Sequence, residues 1–403
     1  MAFPRKKTPA LVLAGGLLAA ALAAPSAAHD CHVPDSRVVA AAPSACGFSK
    51  VGALKVSEVA GLGRVEVQGK LAAVLARDEG IVSLVDVSKP SKPTVVGTYD
   101  GGLEQQRAGE SLDGDVAFSA DGKWLFYARQ STQMSADGLH VIDVSDPTAP
   151  ALRHFQQQGG SYRVALHETE AATYVITLDA IEGLVVNRFD PTNAAGALVP
   201  VYSDPQPALR RVGGPASAGL FVDPKDPELG VPVLYATSGT SGLQVYDMSA
   251  PESPELIGSW AEEGLAEVEV VRTKKTRTVY VATEYWFDDT TKPEVIVLDA
   301  RDLGAIAEKR RISLAVPVTD DFRVQGMTIS KGGGLYVAYS QAGLIAYKLD
   351  GHENGYFNDL GTRNDAAKVT GDPYAFDVEA SKGLLYVTDA ATGTLTVLRP
   401  SRR

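Results

Sequence analysis

Cysteine is nearly absent, with 2 in 403 residues, so no disulfide scaffold or cysteine cluster organises this chain. Histidine is scarce too, at six residues, which argues against His-based hydrolysis or a His-rich metal site. Basic blocks are missing: Lys+Arg 38 against Asp+Glu 49 gives a net charge of −11, which removes nucleic acid as an expected partner. After residue 28 no apolar run reaches the ~20 residues that span a bilayer, and no segment shows a helical period. Enzyme signatures are also missing: there is no GxSxG elbow, HExxH, Walker loop, dinucleotide fingerprint or EF-hand spacing. No cofactor is expected. What is present is 45% hydrophobic residues with 39 Gly and 23 Pro, the make-up of a folded, turn-rich chain.

Residues 1–28 read as a signal peptide. Arg5, Lys6 and Lys7 form a positive n-region, Ala10 to Ala24 is apolar, and Ser26-Ala27-Ala28 offers small residues for cleavage. The expectation is a secreted protein, extracellular or periplasmic, cleaved after Ala28. Residues 29–47 form a lead segment in which an oxidising compartment favours a Cys31–Cys46 disulfide. Cleavage would leave His29 at the new N-terminus with His32 nearby, a pair able to bind copper. The plainer reading is a tail with a disulfide and no metal.

A phrase then recurs: Gly, apolar residues alternating toward an Asp, then Ser or Asp, Pro, a spacer, Pro and a second apolar strand. It reads GIVSLVDVSKPSKPTVVGTYD at 80–100, GLHVIDVSDPTAPALRHF at 138–155 and GLQVYDMSAPESPELIGSW at 242–260. Weaker copies start near 183, 294, 343 and 393. Before each copy stands an alternating strand, a polar turn and a β-branched or aromatic strand, as in DVAFSADGKWLFYA at 115–128. Four strands per unit and seven units are the arithmetic of an all-β, seven-bladed β-propeller of four-stranded antiparallel blades, a single domain over 48–403. The repeated Asp86, Asp143 and Asp247 are expected to bond the amides of the following turn.

The final unit lacks its fourth strand, whereas FSKVGALKVSEV at 48–59 is spare at the other end. Its Val51-Gly52 matches Val96-Gly97 and Ile257-Gly258 in the fourth strands of other units. An N-terminal strand is therefore expected to complete the last blade and close the ring.

The GLxVVDVSDPxxPxxVGSYD pattern at 80–100, 138–158 and 242–260 resembles the LVIVD-repeat family of extracellular bacterial and archaeal proteins. The resemblance covers about 48 to 403 and implies a propeller fold and extracellular placement. It implies no catalytic motif and no defined ligand.

In a propeller the loops entering the first strand and leaving the second ring one mouth of the channel, and loops on a rigid scaffold concentrate binding residues. Aligned units place Arg64, Asp115, Arg163, Gly219, Glu267, Gly326 and Ala375 at the start of the first strand, with Tyr162, Gln325 and Tyr374 just before. Second strands end at Arg77, Arg129, Leu178, Ser238, Thr283, Tyr339 and Asp389, and a loop of unit five carries Glu284, Tyr285 and Trp286. Arg64, Arg77, Arg129 and Arg163 fall on units one to three of an otherwise acidic protein. Either they pair with neighbouring acids in a ring of ion pairs, or they recognise an anion through guanidinium forks. The leading expectation is a monomeric binding scaffold for an anionic or carbohydrate-like ligand or a cell-surface protein. The alternative is a lyase or hydrolase of an acidic polysaccharide or lactone, using Tyr374, Glu267 and Arg163.

Overall fold

Each repeat folds into four antiparallel strands because its period-2 alternation puts one apolar set on each face of a sheet covered on both sides. A computed structural model describes residues 45–58, 61–77, 79–101, 113–130, 138–179, 182–192, 198–204, 218–238, 241–273, 275–283, 293–313, 324–340, 343–349, 353–357 and 374–401. Blade one consists of Leu62–Gln68, Leu71–Ala76, Ile81–Asp86 and Thr94–Asp100, hydrogen-bonded in that order. Its second strand is buried almost throughout, while its fourth is largely exposed.

Seven such sheets form the molecule. Their first strands are Leu62–Gln68, Asp113–Phe118, Ser161–Glu168, Ala218–Asp223, Leu265–Arg272, Gly326–Ile329 and Ala375–Ser381. Each packs against the first strands of both neighbours, including the last against the first, so the ring is closed. Seven hydrophobic clusters fill the seven junctions between blades.

Closure follows the expected register. Phe48–Lys55 pairs with Thr394–Pro400, setting Ser49 opposite Arg399 and Leu54 opposite Leu395. Val51 and Leu54 pack into the cluster between blades seven and one. The lead segment contributes more than expected: Ala45 and Cys46 pair with Phe357 and Tyr356, adding a fifth strand to blade six. Cys31, His29 and His32 lie outside the described residues, and with them the disulfide and the copper pair.

Close approach explains the Gly of the repeat phrase. A Cβ on Gly97 would sit 2.1 Å from the Pro147 carbonyl oxygen of the next blade, and one on Gly258 2.6 Å from that of Leu303. At Gly52 the same atom would sit 2.3 Å from the Pro90 carbonyl oxygen, so the closing strand docks on blade one as a covalent neighbour would. Outer strands are bulged near this point in all seven blades, which blunts edges open to stray pairing. The repeated aspartates cap the following turn, as expected: Asp86 accepts from the Ser88 amide at 2.8 Å, Asp143 from Ser145 at 3.0 Å and Asp247 from Ser249 at 2.7 Å.

Candidate functional site

Alternation along the first strands decides what faces the ring axis. Val65 and Val67 are buried between blades seven and one, which turns Arg64 and Glu66 away from that core. Val268 and Val270 do the same for Glu267 and Glu269, and Val378 for Asp377 and Glu379. The strands are bulged at the mouth, with register slips between Leu62 and Val65, Ser161 and Arg163, Leu265 and Glu267, and Ala375 and Asp377. Such bulges re-aim single side chains. The slip in blade seven places Asp377, rather than the aligned Ala375, at the mouth position.

There the charges meet across the ring. Arg64 Nη2 donates to Glu267 Oε1 at 2.6 Å, and Arg163 Nη2 donates to the same oxygen at 2.9 Å. Arg64 Nη1 reaches Asp377 Oδ1 at 3.3 Å. One carboxylate oxygen thus ties blades one, three and five, and Asp377 adds blade seven. The Arg64 and Arg163 side chains are only 8% and 6% exposed, so these pairs act in a weakly screened setting. Burial pushes the Glu267 carboxyl up, against the pull of both arginines. Backbone bonds extend the network. Asp377 accepts from the Val65 amide at 2.9 Å and Asp115 from the Val164 amide at 3.1 Å, each riveting one blade to the next. Arg163 Nε donates to the Ala218 carbonyl of blade four at 2.6 Å.

One pleat further down the channel stand Glu66, Glu269 and Glu379. Burial pushes Glu66 up to about 8, with Asp115 and Asp377 adding repulsion. It pushes Glu269 up to about 8 as well, with Glu267 adding to it. Glu379 rises well above the carboxylate range through burial, then through Glu66, Glu269 and Asp377. This acidic tier is not among the sequence-derived candidates. Its signal is the phrase Arg-Val-Glu-Val at 64–67, Glu-Val-Glu-Val at 267–270 and Asp-Val-Glu-Ala at 377–380.

The other candidates are spread around the rim. Arg77 stacks over the Phe376 ring at 4.3 Å from its centroid. Arg129 is buried and donates from Nη1 to the Gly101 carbonyl at 2.7 Å. Gln325 Nε2 donates to the Tyr374 hydroxyl at 3.2 Å, and the Tyr374 amide donates to Asp389 at 3.1 Å. Tyr162 lies within the strand Ser161–Glu168. Glu284, Tyr285 and Trp286 lie outside the described residues. Of the three residues of the catalytic alternative, Arg163 and Glu267 touch, whereas Tyr374 bonds to Gln325. Among the described residues, no three His, Cys, Asp or Glu side chains are arranged to hold a metal ion, and no helix is long and apolar enough to cross a membrane.

Known proteins bear on the architecture. The LVIVD repeat family model matches residues 63–101 and 134–154, the stretches that contain the first two copies of the phrase. No curated protein matches the chain. Among solved structures, Raptor from Chaetomium thermophilum superposes with a TM-score of 0.58 at 10% identity, over 89% of this chain and 30% of that one. The present chain therefore spans less than a third of Raptor. Sqt1 from Saccharomyces cerevisiae gives a TM-score of 0.54 at 11% identity, over 89% of this chain and 99% of that one. A functionally unknown protein from Desulfotomaculum acetoxidans gives 0.53 at 14% identity, over 73% and 84%. At such identities the likeness concerns the fold alone. The seven sheets and the closed ring make this chain a seven-bladed β-propeller, and its residues 63–101 and 134–154 match the LVIVD repeat.

Proposed function

We propose that this protein is a secreted, non-catalytic binding scaffold that holds an anionic or carbohydrate-like ligand on the rim of its Arg-bearing mouth. The observation that carries the reading is the sharing of Glu267 Oε1 by Arg64 and Arg163. That knot closes the centre of the mouth with internal ion pairs and holds alternate blades in place, so a ligand is left the loops and arginines around it. Residues 1–28, with their n-region and apolar stretch, support export. A lyase or hydrolase would need a tyrosine acid or base at Glu267, and Tyr374 is engaged by Gln325 instead.

The test is a binding panel of oligogalacturonate, alginate, hyaluronan and neutral oligosaccharides against the full chain, with product formation followed in parallel. Saturable binding to acidic members, weakening with salt and releasing no product, is expected. Absence of saturable binding to every glycan, or product release from any of them, would overturn the reading.

A further inference from the structure

The channel below the knot is lined unevenly. Glu66, Glu269 and Glu379 are enclosed by the ring, which desolvates them, yet each keeps part of its surface accessible. That surface belongs to the channel. The charges acting on the three are other carboxylates, and among the described residues no Lys, Arg or His forms an ion pair with them.

The rest of this level follows from the mouth positions above it. A Cβ on Gly219 would stand 2.9 Å from Glu267 Cα, and one on Gly326 2.8 Å from Asp377 Cα, so both glycines are at mouth level. Two residues on, where the pleat returns to the same face, come Phe221 in blade four and Thr328 in blade six. Asp115 and Arg163 lead in the same way to Ala117 and Ala165. The tier is therefore two-sided. Blades five, six, seven and one present Glu269, Thr328, Glu379 and Glu66, whereas blades two to four present alanine, alanine and phenylalanine. Ala117, Ala165 and Phe221 are half-buried, the last with its ring set edgewise to Tyr235.

Thr328 adds an independent observation. It is 5% exposed and stands between the glutamates of blades five and seven, yet its hydroxyl has no hydrogen-bond partner among the described residues. Buried hydroxyls are normally bonded, so the partner of this one belongs in the channel.

We propose that this tier is a binding site for an organic ammonium ion, a protonated aliphatic amine whose charge lies among the glutamates and Thr328 while its methylenes lie against Ala117, Ala165 and Phe221. The site is in the channel, not on the rim, and stands independently of the rim's ligand. The three carboxylates are not arranged to hold a metal ion. An ammonium asks for less: hydrogen-bond acceptors around its N–H groups, and it is drawn to an aromatic face as well. The Arg64–Glu267–Arg163 knot closes the upper end, so entry is from the far end of the first strands.

The amine competes with protons, because burial holds Glu66 and Glu269 near 8. The charged groups above them are Arg64, Arg163, Glu267, Asp115 and Asp377. One pleat beyond come His167, kept below its usual range by burial, and Asp223, paired with Arg272. Binding should therefore strengthen as the pH rises through 8 and release protons at pH 7.

The experiment is calorimetry on the full chain with spermidine as probe, and butylammonium, potassium, calcium and neutral 1,4-butanediol as separate arms. Spermidine should bind about tenfold more tightly at pH 9 than at pH 7, and its heat at pH 7 should follow the ionisation enthalpy of the buffer. Butylammonium should be weaker, and butanediol should not bind. E66Q and E269Q should each lose about tenfold in affinity at pH 9, and T328V less, while E170Q at an exposed turn keeps wild-type affinity. Glutamine removes a repelling charge at pH 9, so E66Q and E269Q should melt no lower than wild type there, which separates lost binding from lost folding. No saturable spermidine binding at either pH would overturn the site, as would wild-type affinity in both E66Q and E269Q or an equal loss in E170Q. Tighter binding of potassium or calcium than of spermidine would overturn the ligand class. Each of these outcomes leaves the rim reading untouched.

Discussion

The upper and lower tiers of the channel come from the same strands, one pleat apart, yet they handle charge in opposite ways. Above, Arg64 and Arg163 converge on Glu267 and the carboxylates keep company with cations. Below, Glu66, Glu269 and Glu379 face one another in a region where burial and mutual repulsion push their protons on. The contrast teaches that a ring of seven alike strands can hold charge by pairing or by protonation. Which applies follows from whether arginines stand in the same tier, as Arg64 and Arg163 do above.

Breaking the upper tier should have the largest effect. Glu267→Gln leaves two buried guanidinium groups without their shared partner, a loss of about 3–5 kcal/mol by the usual cost of halving a buried pair. Urea unfolding should show it, and a midpoint equal to wild type would mean the knot contributes nothing. The lower tier should behave in the opposite sense. Glu66 and Glu269 have folded pKa values raised to about 8, so the folded state binds protons that the unfolded state releases. Their contribution is fully present below about pH 4.5 and declines as the pH rises toward 8. Glu269→Gln should therefore stabilise the protein at pH 8, on the order of 1–3 kcal/mol, and change little at pH 4.5. Melting curves at the two pH values decide it, and an equal effect at both would remove the protonated tier. The smallest effect concerns coupling. Because Glu379 is raised partly by Glu66, Gln at both positions should stabilise at pH 8 by less than the sum of the single changes, with an interaction of about 0.5–1 kcal/mol.

The blade plan was legible because its signals are local and repeated. Val51-Gly52 identified the closing strand for the same reason that Gly97 and Gly258 recur: a neighbouring turn leaves no room for a Cβ. The repeated aspartates were readable because an Asx turn is a property of four consecutive residues. The mouth was only half legible. Alignment located Arg64, Arg163 and Glu267 but set Ala375 where a bulge presents Asp377, since one slipped residue shifts everything that follows it in the strand. Nor can a repeat say which long side chains reach across a ring, so the meeting of Arg64 with Glu267, four blades apart, needed coordinates. The lower tier is carried by one shared phrase, with Glu66, Glu269 and Glu379 each two residues beyond the mouth position of its strand, and only the closed ring brings the three together.

Ring closure has a temporal side. The chain around Cys46 and Gly52 clasps blades six and seven, and its partners are the last strands to be made: Ser49 bonds to the Arg399 carbonyl across 350 positions. Six blades can stack as they emerge, each against its predecessor, but the join waits for the strand Thr394–Pro400. Until then the earliest strand has an idle edge and the growing arc stays an open horseshoe, so the slow, entropically costly step falls at the end of assembly.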